Sequence, residues 1–193
     1  MRSLNKFLSI IFITAFFLST VKADYDSVKK VENFMLKDYN GKEYQLSDFK
    51  NSKAIVIFFI ATQCPVSNAY NSRMEKIYEE YKDKGIAFIG INSNKQESIE
   101  EIKEHAKKNN LNFIILKDVN NVIADKFKAS VTPEVYVLNS EFEILYHGRI
   151  DDSRKEEEVK SEDLRNALNE ILQGKKVSKT ETKAFGCTIK RVN

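Results

Sequence analysis

Cysteine, histidine and proline are scarce in this 193-residue chain, with two of each, and tryptophan is absent. Cys64 and Cys187 lie too far apart in the sequence for the usual zinc-ligand spacings or for a dense disulfide framework. With His105 and His147 as the only histidines, a conventional zinc site or a Ser-His-Asp hydrolase lacks its residues. Six glycines and 42% hydrophobic residues exclude collagen-like and disordered chains. We therefore expect thiol chemistry, with no metal and no other cofactor.

An excess of charge of one sign is also missing from most of the chain. The sequence holds 31 basic and 28 acidic side chains, and the excess of +3 is accounted for by Arg2, Lys6 and Lys22. The rest of the chain is neutral overall, which argues against a nucleic-acid surface or an anionic-membrane surface. We expect neither a nucleic-acid partner nor a stable membrane contact.

Residues 1–23 have the pattern of a secretory signal peptide. Basic residues precede an apolar run over residues 7–18, and small residues stand at Val21 and Ala23, the spacing expected before a cleavage site. The alternative is an uncleaved anchor, which is disfavoured because the run is shorter than the ~20 residues that span a bilayer. The sequence predicts a secreted or periplasmic protein whose mature chain begins at Asp24.

Strands alternate with helices along the remaining chain. Asn40-Gly41 predicts a hairpin turn, and the apolar run Ala54–Ile60 predicts a strand buried on both faces. The further predicted elements are a helix over Ser67–Lys84 ended by Gly85, strands at Ile86–Ile91 and Phe113–Leu116, helices around residues 99–106 and 119–127, an antiparallel pair at Glu134–Leu138 and Glu141–His147, and a helix capped by Ser161 and closed by Gly174. This order indicates an α/β three-layer sandwich with a central mixed sheet and an N-terminal hairpin. We expect one domain over residues 24–176 and a C-terminal tail over residues 177–193 that carries Cys187.

Cys64 stands where the buried strand ends and the next helix begins. Amide N–H groups and the positive end of the helix dipole favour a thiolate there, and such positions lower a cysteine pKa from ~8.5 to roughly 3.5–7.5. Pro65 suits the first helical turn, and Thr62 and Gln63 precede the cysteine closely enough to line a site. The sequence therefore predicts a nucleophilic thiol at Cys64, with a buried, inert cysteine as the alternative.

Pro133 precedes a predicted strand and removes one donor from its ladder. A cis Thr132–Pro133 bond would leave the backbone of Thr132 available to pair with another segment. The alternative is an ordinary edge-strand or turn proline.

Several segments together resemble one family. Phe58–Pro65 resembles the active-site segment of the thioredoxin superfamily, nearest its redoxin branch of AhpC/TSA, peroxiredoxin-like and disulfide-reductase-like proteins. Four further segments resemble a secreted or periplasmic subgroup of that branch: Gly90–Asn94, Thr132–Pro133, Gly148–Asp152 and Gly186–Lys190. The resemblance extends from Val31 to the C-terminus. It implies a thioredoxin fold in which Cys64 is the nucleophile, Pro133 is a cis proline facing it, and Thr132 offers backbone hydrogen bonds to a bound substrate.

The sequence departs from the family pattern at two positions. Ser67 stands in place of the second cysteine of a Cys-x-x-Cys pair, and Ala61 stands where peroxiredoxins carry threonine. Cys187 is therefore the candidate that resolves oxidised Cys64, within the chain or from a second chain. A static disulfide or an unpaired tail cysteine is the alternative.

Three other side chains are weaker candidates. The guanidinium of Arg149 could stabilise the Cys64 thiolate or a bound peroxide, and pairing with Asp151 or Asp152 is the alternative. The two histidines are expected to be exposed or solvated.

We interpret the chain as an exported oxidoreductase with antioxidant or thiol-disulfide reductase activity. Cys64 attacks a peroxide or a protein disulfide, and Cys187 or an external thiol reductant resolves the product. The alternative is a non-catalytic binding module or a metallochaperone. Copper is disfavoured because Ser67 replaces a cysteine that copper proteins of this fold use.

Overall fold

The computed structural model describes residues 29–192, so the predicted signal peptide and the predicted start at Asp24 lie outside the described residues. The strands in that range are β1 Met35–Asp38, β2 Glu43–Gln45, β3 Ala54–Ile60, β4 Ile86–Asn92, β5 Ile114–Lys117, β6 Val131–Thr132, β7 Glu134–Leu138, β8 Ile144–Gly148 and β9 Cys187–Thr188. The α-helices are α1 Pro65–Asn68, α2 Asn71–Tyr81, α3 Ile99–Lys108, α4 Val122–Phe127 and α5 Asp163–Leu172.

A mixed sheet of seven strands, in the order β2-β1-β5-β4-β3-β7-β8, forms the centre of the fold. Strand β3 runs parallel to β4 and antiparallel to β7. Strands β6 and β9 form a separate two-stranded sheet. The predicted mixed sheet and N-terminal hairpin are confirmed, and β7 and β8 are antiparallel as expected.

The central strand β3 is buried along its whole length because both of its faces are covered. Alternate residues contact two separate clusters, Ala54, Val56, Phe58 and Ile60 on one side and Ile55, Ile57 and Phe59 on the other. Helices α2, α3 and α5 supply the first cluster, whereas α4 and the 3-10 helix Leu46–Phe49 supply the second. This is the predicted three-layer arrangement, and it leaves the carboxyl end of β3 as the start of the Cys64 loop.

Two helix predictions are wrong in detail. The helix expected over Ser67–Lys84 is interrupted, because the Tyr70 amide bonds to Ser67 O in a tighter turn before α2 begins. A 3-10 turn, Lys82–Lys84, follows α2 and ends at Gly85, where φ is 84°. Helix α5 begins without the predicted cap, since the Ser161 hydroxyl donates to the Asp163 carboxylate instead.

The C-terminal tail packs along the domain rather than away from it. The amide of Thr182 donates to His147 O at 2.9 Å, and the Lys179 ammonium lies 2.8 Å from the Asp163 carboxylate. Further on, β9 pairs with β6 in an antiparallel register. The tail thereby brings Cys187 to the end of β3.

Over residues 29–192, none of the helices has the length and hydropathy needed to cross a membrane.

Candidate active site

Cys64 is the N-cap residue of α1 and is 5% exposed. The Ser67 amide donates to Cys64 Sγ at 3.3 Å, and in the reduced protein this bond favours the thiolate. Thr132 O lies 3.4 Å from the same sulfur and favours the protonated thiol. The geometry predicted for Cys64 at a helix start is present, with one group that stabilises each protonation state.

Cys64 forms a disulfide with Cys187 of the same chain. Their Cα atoms are 5.9 Å apart, within the range of 4.4–6.8 Å that disulfides use. Strand β9 makes this approach possible, because its register places Cys187 opposite Thr132. Of the arrangements left open by the sequence, the structure has the pairing within one chain.

The Thr132–Pro133 bond is cis, as the resemblance implied. Thr132 is only 2% exposed, and its backbone is paired with the chain's own Cys187. The expectation that this backbone is available to a substrate is therefore wrong for the disulfide form of the protein. The tail strand occupies that edge.

The buried carboxylate of Glu134 holds the backbone of β6 and the residue before it. Glu134 accepts hydrogen bonds from the Ser130 amide at 2.8 Å and the Val131 amide at 3.1 Å, and its other oxygen lies 2.6 Å from His147 Nε2. Burial acts to raise the pKa of Glu134, but the hydrogen bonds from His147 and the two amides outweigh it, so the pKa lies below its usual range. His147 also stacks on the Tyr136 ring and is not an exposed strand end.

Glu97 orders the residues that precede Cys64. It is 2% exposed and accepts the Thr62 amide at 2.8 Å and the Gln63 amide at 3.0 Å. The Gln63 side chain is held in turn by Glu101 at 3.0 Å. Sequence reasoning missed Glu97, because a single acid in a polar segment carries no pattern that distinguishes it from a solvated side chain.

Lys117 on β5 holds the loop after β4, which carries Glu97. Its ammonium donates to Asn92 Oδ1 at 3.0 Å and to Asn94 O at 2.6 Å. Burial lowers the pKa of Lys117, and the negative charge of Glu97 acts in the opposite direction. The loop after β4 is thus bonded to the Cys64 loop through Glu97 and to β5 through Lys117.

A cleft of about 250 Å³ opens beside the disulfide. Its lining residues include Gln63, Glu97, Thr132 and both cysteines. Pro65 is exposed at the first position of α1. The cleft has room for a small polar molecule next to the two sulfur atoms.

Within residues 29–192, the side chains that line the cleft do not include Arg149. Its Nε donates to Asp163 at 2.7 Å, so its partner is neither Asp151 nor Asp152. His105 is half-buried at 3.0 Å from the Asn71 amide nitrogen, and burial lowers its pKa, so it is not the solvated side chain expected. Of the candidate residues, the structure brings Cys64, Cys187, Thr62, Gln63, Pro65, Thr132 and Pro133 together.

The sequence model of the AhpC/TSA family matches residues 28–153. The chain belongs to the AhpC/TSA family. The matched residues of this AhpC/TSA protein include Cys64 and Pro133 but end before Cys187. Its fold is thioredoxin-like, so the resemblance and the predicted fold class are confirmed.

The individual relatives of this AhpC/TSA protein include proteins named as thiol-disulfide oxidoreductases and proteins named as peroxiredoxins. The chain is 28% identical to the thiol-disulfide oxidoreductase ResA of Halalkalibacterium halodurans over 113 residues, which are 58% of this chain and 62% of that protein. It is 31% identical to peroxiredoxin Q of Triticum aestivum over 121 residues, 59% of this chain and 54% of that protein. The chain thus spans less than two thirds of the length of these curated relatives.

Among solved structures, a hypothetical protein from Sinorhizobium meliloti 1021 is similar over nearly the whole chain. The two are 31% identical with a TM-score of 0.80, and the match covers 86% of this chain and 94% of that one. The similarity therefore extends beyond the residues that match the family model.

In the reduced AhpC/TSA protein, we expect iodoacetamide to label Cys64 before Cys187 at about pH 6, because Ser67 N–H and the helix start favour the thiolate at Cys64. Quenched samples mapped by peptide mass measure both rates. Labelling of Cys187 first, or of both cysteines at one rate, would contradict an activated thiol at Cys64.

Gly186 is required by its contact with the cis-proline loop. A Cβ at this position would overlap the carbonyl oxygen of Thr132. We expect Gly186→Ala to move Cys187 and to slow Cys64–Cys187 formation by up to ~100-fold, because reacting groups misplaced by ~1 Å lose about that factor. Quenched mass measurement after a peroxide pulse gives the rate. Lys183→Ala, at an exposed position, is the control, and equal rates in the two variants would contradict the close approach.

Proposed function

We propose that this AhpC/TSA protein is an exported thiol oxidoreductase in which Cys64 is the nucleophile and Cys187 resolves its oxidised form in the same chain. The observation that carries the proposal is the Cys64–Cys187 disulfide at the start of α1. The names of its relatives, thiol-disulfide oxidoreductase and peroxiredoxin, support redox chemistry at this cysteine.

Oxidation by a peroxide proceeds in two steps. The Cys64 thiolate attacks one peroxide oxygen, the O–O bond breaks, and the leaving oxygen departs as water or an alcohol after protonation. The product is a sulfenic acid on Cys64. Cys187 then attacks that sulfur as a thiolate, the S–S bond forms, and hydroxide leaves and is protonated to water.

Oxidation by a disulfide ends in the same state. Cys64 attacks one sulfur of the substrate, which releases the first substrate thiolate and leaves a mixed disulfide on Cys64. Cys187 attacks the Cys64 sulfur of that mixed disulfide, and the second substrate thiolate departs. The substrate disulfide is reduced, and the protein dithiol is oxidised.

An external thiol returns the protein to the dithiol state. Cys187 is half-buried whereas Cys64 is buried, so the incoming thiolate reaches Cys187 more readily. It forms a mixed disulfide with Cys187, and Cys64 leaves as a thiolate that accepts the Ser67 N–H bond. A second thiolate attacks the mixed disulfide and releases Cys187.

The site supports these steps without an arginine. Arg149 is held by Asp163, and Ala61 stands where the peroxiredoxin pattern has threonine. Within residues 29–192, the charged side chains that line the cleft are Glu97, which accepts the Thr62 amide, and Lys190. Peroxide and disulfide are both compatible with this arrangement.

The proposed activity is tested with stoichiometric oxidant. Reduced protein is mixed with hydrogen peroxide in one arm and hydroxyethyl disulfide in the other, and the free thiols of the protein are counted with time after the small molecules are removed, since hydroxyethyl disulfide itself releases two thiols when it is reduced. We expect both thiols to disappear together with one oxidant consumed per chain, and dithiothreitol to restore them. If both thiols remain free with both oxidants, the proposed activity is wrong.

Export is tested separately. We expect the protein recovered from a secreting host to begin at Asp24, because Val21 and Ala23 provide the small residues of a cleavage site. Intact mass and N-terminal sequencing give the first residue. Recovery of a membrane-bound chain that begins at Met1 would support the uncleaved anchor instead.

A further inference from the structure

The segment that follows the disulfide is held on both sides. We call residues 187–192 the strap. On one side Cys187 pairs with Thr132, and the Ile189 amide donates to Ser130 O at 3.0 Å. On the other side the Lys190 amide donates to Asn94 Oδ1 at 2.8 Å. The strap therefore lies between the cis-proline loop and the loop after β4.

The end of the strap is also anchored. The Arg191 guanidinium donates to Ala129 O at 2.7 Å and lies 3.1 Å from the Asp125 carboxylate. The Val192 amide donates to Asn121 Oδ1 at 2.7 Å. These contacts do not involve the sulfur of Cys187.

Ile189 supplies the apolar part of the anchoring. It is 3% exposed and belongs to the buried cluster that contains Phe127 and Ala129. Burial of an isoleucine side chain is among the largest single contributions that a short segment can make to its own docking. We therefore expect the strap to stay docked after the Cys64–Cys187 disulfide is reduced.

The strap shows the arrangement that a polypeptide adopts when its cysteine is bonded to Cys64. Its backbone lies in an antiparallel register against Val131–Thr132, and its cysteine is bonded to Cys64. A protein substrate that brings a disulfide to the buried Cys64 sulfur needs space for its own backbone at the same edge. That space is occupied by Gly186, Cys187 and Thr188.

We propose that the strap, anchored by Ile189, is a specificity-determining element that restricts Cys64 to small oxidants, peroxides and low-molecular-weight disulfides, and excludes protein disulfides. This inference rests on the proposed function, since it concerns the substrate class of the same thiol. A protein disulfide reacts only in the fraction of molecules whose strap has left the edge. A small oxidant reaches Cys64 through the cleft of about 250 Å³ without strap release.

The test compares two disulfides of different size. Reduced protein is mixed with hydroxyethyl disulfide or with insulin, and formation of the Cys64–Cys187 disulfide is followed by quenched mass measurement. Ile189→Ala weakens strap docking and raises the released fraction, which remains the minor state, so we expect the insulin rate to rise by ~tenfold or more, in proportion to that fraction. The hydroxyethyl disulfide rate stays within ~twofold of the wild type, because most molecules keep Cys187 docked beside Cys64.

Matched controls separate strap release from general loosening. Val31→Ala removes side-chain atoms from an equally buried position in the same cluster but outside the strap, and we expect it to leave the ratio of the two rates unchanged. If Ile189→Ala does not fold, Arg191→Ala replaces it. Lys126→Ala, whose ion pair with Glu32 has the same 3.1 Å separation, is then the control.

Two results would overturn the inference. One is a wild-type protein that oxidises as fast with insulin as with hydroxyethyl disulfide. The other is an unchanged rate ratio in the folded strap variant. Failure of the proposed function gives a different result, namely no oxidation of Cys64 by any of these compounds.

Discussion

Cys64→Ser is expected to abolish both peroxide consumption and disulfide reduction, because a serine hydroxyl remains protonated where the thiol would ionise. Cys187→Ser is expected to react once and then stop, since the sulfenic acid or mixed disulfide on Cys64 has no second thiol in the chain to resolve it. Oxidant consumed per chain, measured first alone and then after a monothiol is added, distinguishes the two variants.

The two cysteine variants also serve as controls for each other. Each removes the Cys64–Cys187 disulfide, so any loss of stability from the missing bond is common to both. A Cys64→Ser protein that still consumes oxidant would contradict Cys64 as the nucleophile. Sustained turnover of Cys187→Ser without added thiol would contradict Cys187 as the resolving residue.

Asp151→Ala is expected to lower the free energy of unfolding by ~3–5 kcal/mol, because it leaves the buried Arg73 guanidinium with carbonyl acceptors but without its carboxylate. Arg73 lies 2.6 Å from Asp151, and both side chains are 7% exposed. Tyr70 also donates to Asp151 at 3.0 Å, and burial together with the Asp151 charge raises the Tyr70 pKa above its usual range. Chemical denaturation of oxidised protein gives the free energy.

Lys76→Ala is the matched control for this prediction. Lys76 lies on the same helix, α2, and pairs with Glu156 at 2.7 Å, but both side chains are more than half exposed. We expect a loss of only ~0–1 kcal/mol, because solvent screens an exposed pair. Similar losses for the two variants would mean that the Arg73–Asp151 pair does not anchor α2 behind the Cys64 loop.

The parts of the fold that could be predicted are those with local patterns. The strand Ala54–Ile60 was predicted with its observed bounds, because a continuous apolar run is what burial on both faces requires. Asn40-Gly41 marked the hairpin, since Gly41 has the positive φ of 85° that this turn needs. Cys64 was placed at a helix start by the strand before it and Pro65 after it.

The strap could not be predicted, because its position depends on distant residues. Strands β6 and β9 have two residues each, too few for a period of two to be visible in the sequence. The pairing of Cys187 with Cys64 likewise follows from the path of the tail, which no spacing rule specifies.

Side-chain partners were harder still to predict than strand pairing. Arg149 and Asp151 stand close in sequence, yet Arg149 pairs with Asp163 on α5 and Asp151 pairs with Arg73 on α2. No sequence pattern marks Glu97, because its role depends on the folded chain bringing the Thr62 and Gln63 amides to its carboxylate oxygens. The sequence therefore indicates Cys64 as a site residue but not the groups that hold its surroundings.

The most direct test of the cycle is the mass of the reduced, mature protein after one equivalent of hydrogen peroxide, measured without reductant. A single chain that resolves itself gives a monomer lighter by two hydrogen atoms, with a peptide that links Cys64 to Cys187. A monomer heavier by one oxygen, or a disulfide-linked dimer, would contradict resolution of Cys64 by Cys187 in the same chain.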